Sequence, residues 1–150
     1  MKRTLCLAAA IFAFFLTAPT MYSQTSHLRL RFHVPFSFSI NNQTFTPGEY
    51  EFTQESPAVL KVANLQSSDS AFESVRPAQS RKEGNGQIRL VFHRYDNQYF
   101  LSSVSDGSWE SSYNFKTSAK EKRLADAGPR KMVVTIDPAG AVLVADRGRN

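Results

Sequence analysis

From Leu28 to Ile40 every even-numbered residue is apolar: Leu28, Leu30, Phe32, Val34, Phe36, Phe38 and Ile40. Between them stand Arg29, Arg31, His33, Pro35, Ser37 and Ser39. Successive side chains of an extended chain point to opposite faces, so this period of two predicts a long strand with one face in a hydrophobic core and the other in water. Burying seven large apolar side chains stabilises by roughly 10 to 20 kcal/mol. Ordering the backbone of that segment costs about as much. The strand therefore needs a second apolar layer opposite it, for which Tyr50, Phe52, Leu60, Val62, Ile88, Leu90, Phe92, Phe100 and Val133 are the candidates. Pro35 removes one ladder donor, and proline in sheets is confined to edges and irregular positions. Because the parity is unbroken across it, Pro35 predicts an edge position or a bend where one strand passes between two sheets.

The rest of the chain repeats short strand signals between turn signals. Asn41-Asn42 and Pro47-Gly48 are turns, and Glu49 to Thr53 alternates again, forming a hairpin with the opening strand. Ala58 to Ala63 is an apolar run, and a short strand is expected around Ala71 to Val75. Arg76 to Gln87 has no periodicity and reads as the longest loop. Gln87 to Tyr95 and Gln98 to Val104 flank Asp96-Asn97 as the clearest hairpin. After Asp106-Gly107, the residues Trp109, Ser111, Tyr113 and Phe115 share one parity of a further strand. Ser118 and Glu121 make an S-x-x-E capping box for a short, polar surface helix over Lys120 to Ala127, stopped by Gly128-Pro129. Lys131 to Asp137 and Ala141 to Ala145 close the chain as a hairpin apolar enough to be buried on both faces. Together these predict an all-β domain: an antiparallel β-sandwich or small flattened β-barrel of about eight or nine strands with one short surface helix.

Met1-Lys2-Arg3, the apolar run Leu5 to Leu16 and the small, polar exit from Thr17 have the three parts of a secretory signal. The run is shorter than the ~20 residues a membrane span needs. Residues 1–23 are expected to be a leader, cut after Ser23 or, as the alternative that places the small Ala18 three residues before the scissile bond, after Thr20; 24–150 is then a single exported domain in the periplasm or outside the cell. Cys6, the one cysteine, would leave with the leader, which excludes disulfides, thiolate metal sites and a cysteine nucleophile from the mature chain. Lys2 and Arg3 are the only charged residues among the first 23, so their removal lowers the net charge from +5 to +3. That modest excess, with the densest basic group (Lys116 to Arg123) interrupted by Glu121, argues against nucleic acid as a partner.

Val34-Pro35-Phe36-Ser37-Phe38, Pro47-Gly48-Glu49-Tyr50, Leu90-Val91-Phe92-His93-Arg94-Tyr95 and Tyr99-Phe100-Leu101-Ser102, in that order, resemble an uncharacterised family of small exported proteins common in acidobacteria. The resemblance covers residues from about 32 to 104 and departs at Val104-Ser105, where the family often reads Val-Trp. It implies a Gram-negative envelope or secreted location and brings no activity to any residue.

Few residues invite chemistry. His93 and Asp96, in His93-Arg94-Tyr95-Asp96 beside the loop, are candidates for an acid/base pair in a small envelope hydrolase. No nucleophile stands in a recognisable frame, since Gly107-Ser108-Trp109 lacks the second glycine of a G-x-S-x-G elbow. His93 lies on the face opposite Phe92, where a solvent-facing or hydrogen-bonded side chain is the plainer reading. A metal site from His27, His33 and His93 is disfavoured, because His27 and His33 lie ~20 Å apart along one strand. Trp109 and Tyr113, interleaved with Ser and Asn, could stack on a glycan or a partner protein, although core-facing residues show the same spacing. A transmembrane barrel would need its apolar face outward, against the charges of Arg29, Arg31 and Glu51. The expected protein is thus non-catalytic, with no cofactor, and has a binding or structural role toward an envelope protein or glycan.

Overall fold

The alternation from Leu28 to Ile40 keeps its parity through two strands instead of one. In the computed structural model, which describes residues 28–78, 86–107 and 112–146, β1 covers Arg29–Val34 and β2 covers Phe38–Ile40. The break between them falls at Pro35, Phe36 and Ser37. β1 is an edge strand whose one ladder is antiparallel to β4 (Gly48–Ser56), with Phe32 opposite Tyr50. Beyond Pro35 the chain leaves that ladder, and β2 pairs in parallel with β8 (Gln98–Asp106) and antiparallel with β3 (Gln43–Phe45). The edge reading of Pro35 holds; a bend is also present, but it carries the chain across one curled sheet and not between two sheets. The two-residue turn Asn41-Asn42 then reverses the chain, with Asn41 at φ 52°, a left-handed conformation that asparagine tolerates.

The remaining strands are β5 (Val59–Asn64), β6 (Ser70–Ala78), β7 (Ile88–Tyr95), β9 (Ser112–Phe115), β10 (Lys131–Ile136) and β11 (Val142–Asp146). One helix, α1, covers Ala119–Asp126. The strands follow the order β1-β4-β5-β6-β9-β8-β7-β10-β11, with β2 and β3 attached beside β8. The result is one curled, mostly antiparallel sheet of nine strands forming a half-barrel, as expected of an all-β domain. The interior is aromatic. Phe38 stacks on Phe45 and meets Tyr50 and Phe92 edge-on, with centroids 5.1 to 5.5 Å away, so one side chain of β2 ties both halves of the sheet together. Phe32, Val34, Phe52, Leu60, Val62, Leu90, Val134 and Ile136 complete the buried layer. Arg29, Arg31 and His33 face outward, the two arginines within ion-pair reach of Glu51 and His33 beside Glu49. An apolar inside and a charged outside are the reverse of a lipid-facing barrel. No helix among the described residues is long and apolar enough to cross a membrane.

The inner layer differs from expectation at three residues. Phe100 and Val133 are paired with His93 in the ladders, and His93 lies on the outer face. Phe100 falls there because β8 carries a bulge: Val91 faces Ser103 while Phe92 faces Leu101, leaving Ser102 extra. That added residue moves Leu101 and Val104 inward although their numbers differ in parity. Ile88, at the start of β7, is exposed. Two boundaries also differ. β6 runs on through Pro77, paired with Tyr113, to Ala78, so Arg76 to Ala78 are strand and not loop as expected, and residues 79–85 lie outside the described residues. The β10–β11 hairpin is not buried on both faces as expected: Val134 and Ile136 of β10 are buried, but β11 is the far edge of the sheet and leaves Val142, Leu143 and Val144 exposed. Its turn reaches back toward the first edge. A Cβ on Gly140, at φ 82°, would stand 3.7 Å from the Cβ of His33.

Candidate functional site

His93 is held by its strand on the outer face of β7, and its Nδ1 lies 2.7 Å from Oε1 of Glu121, the third residue of α1. A carboxylate can only accept, so in this pair Nδ1 carries the proton. The S-x-x-E box places Glu121 there. Ser118, at the N-cap, accepts a hydrogen bond from the Glu121 backbone N–H over 3.0 Å, as the motif predicts. The Glu121 carboxylate does not close the box by reaching back to the cap; it turns to His93 and is 4% exposed. It is also the one buried side chain of α1. The helix is therefore more than a polar surface element, because it is fastened to the sheet by an acid. Under it lie Tyr95 and Phe100, edge to face at 6.1 Å, with the Lys120 ammonium 6.0 Å above the Phe100 ring. Burial raises the pKa of the Tyr95 phenol, and the Glu121 carboxylate raises it further.

Asp96 is not part of this arrangement as drawn. It occupies the first position of the β7–β8 turn at φ 52°, and its carbonyl accepts a 2.6 Å hydrogen bond from Arg94 Nε. The partner of the His93 side chain is Glu121, 28 positions away, and among the described residues the imidazole has no other hydrogen bond. Tyr113 is buried between β6 and β8 and donates its hydroxyl to Gln54 Oε1 over 3.1 Å. Its pKa is raised by burial first and by the nearby Asp106 second. Trp109 lies outside the described residues, as does His27. His33 is paired with Glu49 on the exposed face of β1, and no three His, Cys, Asp or Glu among the described residues are grouped to hold a metal ion.

Docking of α1 also shapes a groove of about 610 Å³ at the rim of the half-barrel. The β2–β3 turn contributes Asn41 and Asn42, β6 contributes Ser74, and the β9–α1 connection with the first turn of the helix contributes Lys116, Thr117, Ser118, Ala119 and Lys122. On the inner side of this rim, Glu73 points inward with Ala71 and Val75 and is 7% exposed. Its carboxylate accepts from Asn41 Nδ2. Burial raises the Glu73 pKa, and the hydrogen bond from Asn41 partly opposes that rise. In the sequence Lys116 to Arg123 reads only as a basic group interrupted by Glu121, and Glu73 does not stand out. The missed signal was local: an acid at the parity of Ala71 and Val75 has to be buried. Compared with protein-family models, with curated proteins and with solved structures, the chain matches none.

Proposed function

We propose that this protein is an exported, non-catalytic β-domain that acts by binding, or by a structural contact, in the cell envelope. The observation that carries this reading is the use made of His93. The one hydrogen-bond partner of its side chain among the described residues is a buried carboxylate whose helix has no other buried side chain, so the pair works as a fastening. A hydrolase would need a nucleophile within reach of the base and a place for the reacting atom beside both. Among the described residues neither Ser nor Asp is hydrogen-bonded to His93. Export is supported by the basic, apolar and small-residue order of residues 1–23 and by a mature chain with no cysteine. The resemblance to small exported proteins agrees with it.

Two measurements test the reading. Expressed with its leader in a Gram-negative host, the full chain should be recovered outside the cytoplasm with an intact mass that begins at Gln24; an uncleaved cytoplasmic product would refute export. Assayed against esters, glycosides and peptides, the protein should show no turnover. A turnover abolished by His93→Ala in a protein that stays folded would establish the hydrolase alternative.

A further inference from the structure

We infer that α1 is a hinged lid: it opens from the sheet while the half-barrel stays folded, and the pair of Glu121 with His93 is its latch. An eight-residue helix is too short to persist in water by itself, so α1 is held by what it touches. It touches little. The ladder of β9 ends at Phe115 and that of β10 begins at Lys131, and among the described residues no backbone hydrogen bond joins residues 116–129 to a strand. The bonds from the Lys122 N–H to Ser118 and from the Ala127 N–H to Arg123 stay within the segment. Of its side chains, Glu121 alone among the described residues is hydrogen-bonded to the sheet, across the 2.7 Å to His93 Nδ1. On opening, water replaces that bond, so one such latch holds the helix only moderately.

What lies beneath α1 is separate from the main core. Tyr95 and Phe100 are only 3% and 2% exposed, yet they stand on the outer face with His93, and neither belongs to the buried layer around Phe38. The Lys120 ammonium above the Phe100 ring is a second link from the helix to this pair. Lifting α1 would bare both rings while leaving the inner face of every strand covered. The ends of the segment suit a hinge. Lys116 and Thr117 are exposed at one end, and at the other Gly128 has φ 95° and open space, since a Cβ there would meet no atom within 4 Å. A helix fastened at one point over a small cluster of its own, between two exposed ends, is the kind of unit that opens without global unfolding.

The test is native-state hydrogen exchange of the 15N-labelled protein, followed by NMR at several low urea concentrations. Relative to their unprotected rates, the Lys122 and Ala127 amides should exchange at least ~100-fold faster than those of Phe52 and Leu90, and nearly independently of urea. Val62→Ala, in the main core, should speed Leu90 roughly 10-fold and leave Lys122 unchanged, because the open and closed forms share that core. Glu121→Ala should speed Lys122 and Ala127 at least ~10-fold while the strand amides stay protected. Exchange at Lys122 that matches Leu90 in rate and urea dependence, or follows it in Val62→Ala, overturns the proposal, since α1 would then open only with the sheet. Lys122 and Ala127 unprotected in the unaltered chain would show that no latch holds the helix. Unchanged exchange in Glu121→Ala would remove the latch from the Glu121–His93 pair.

Discussion

Glu73 and Glu121 are both buried carboxylates, but their surroundings make them opposites. Glu121 has an ionisable partner in His93, whereas Glu73 has a neutral one in Asn41. Burial raises the pKa of Glu73 above 4.5, so the folded chain keeps that proton to higher pH than the unfolded chain does. Stability from this group is then complete below the unfolded value and is lost as pH rises through the folded one. Glu73→Gln keeps an acceptor for Asn41 and removes the charge. It should raise the urea midpoint at pH 7 and above, with the gain vanishing as pH falls below 4.5; a gain independent of pH would assign it to packing. At Glu121, which is hydrogen-bonded to His93, substitution is expected to destabilise. Glu121→Ala and His93→Ala should each destabilise by about 1–3 kcal/mol, because either leaves a polar partner without its hydrogen bond. The double variant should cost less than the two singles added together, and full additivity in denaturant melts would break the pairing.

Strand elements here are defined by which side is covered. β1 and β2 share a single parity, yet β1 is an edge and β2 a tie across the interior, and the residues between them decide the change. Phe38 reaches Phe45, Tyr50 and Phe92, so Phe38→Ala should cost about 3–5 kcal/mol. Phe36, stacked on Tyr99 with centroids 3.9 Å apart, should not tolerate Asp, whereas the exposed Ser37 should accept Asp within about ±0.5 kcal/mol. Equal losses at 36 and 37 would contradict the two-face reading. β11 presents the converse case. Its Leu143 is 69% exposed on an edge without proline or lysine, which is the kind of strand that pairs with other chains. Leu143→Lys should leave thermal stability nearly unchanged and reduce concentration-dependent association in light scattering.

Seen whole, the half-barrel depends on pairings between distant segments. β2 joins β8 some 60 residues later in a parallel ladder, and β6 joins β9 across residues 79–85 and two intervening strands. Loops of that length must close before those contacts repay the entropy, so folding should be slow, on the order of milliseconds to seconds. Stopped-flow refolding of the mature chain checks this, and a microsecond phase accounting for the full amplitude would refute it. With Cys6 as its one cysteine the chain can form no internal disulfide, and the buried aromatic layer is consistent with a core large enough to need no such staple.

By itself the sequence determined the periodicities and their local stops: the two-faced segment from Leu28 to Ile40, the hairpin at Asp96-Asn97, the Ser118 cap and the all-β class. These are legible because alternation, turn chemistry and capping act between near neighbours, where spacing alone carries the physics. Only the tertiary structure decided which apolar faces were covered. It turned one predicted strand into an edge and a crossing, used a bulge at Ser102 to send Phe100 outward, and left β11 bare at the end of the sheet. It also chose Glu121 over Asp96 as the partner of His93 and gathered Asn42, Ser74, Lys116 and Lys122 around one groove. Those outcomes depend on the curl of the sheet and on packing between residues far apart in the chain, and no local period encodes either.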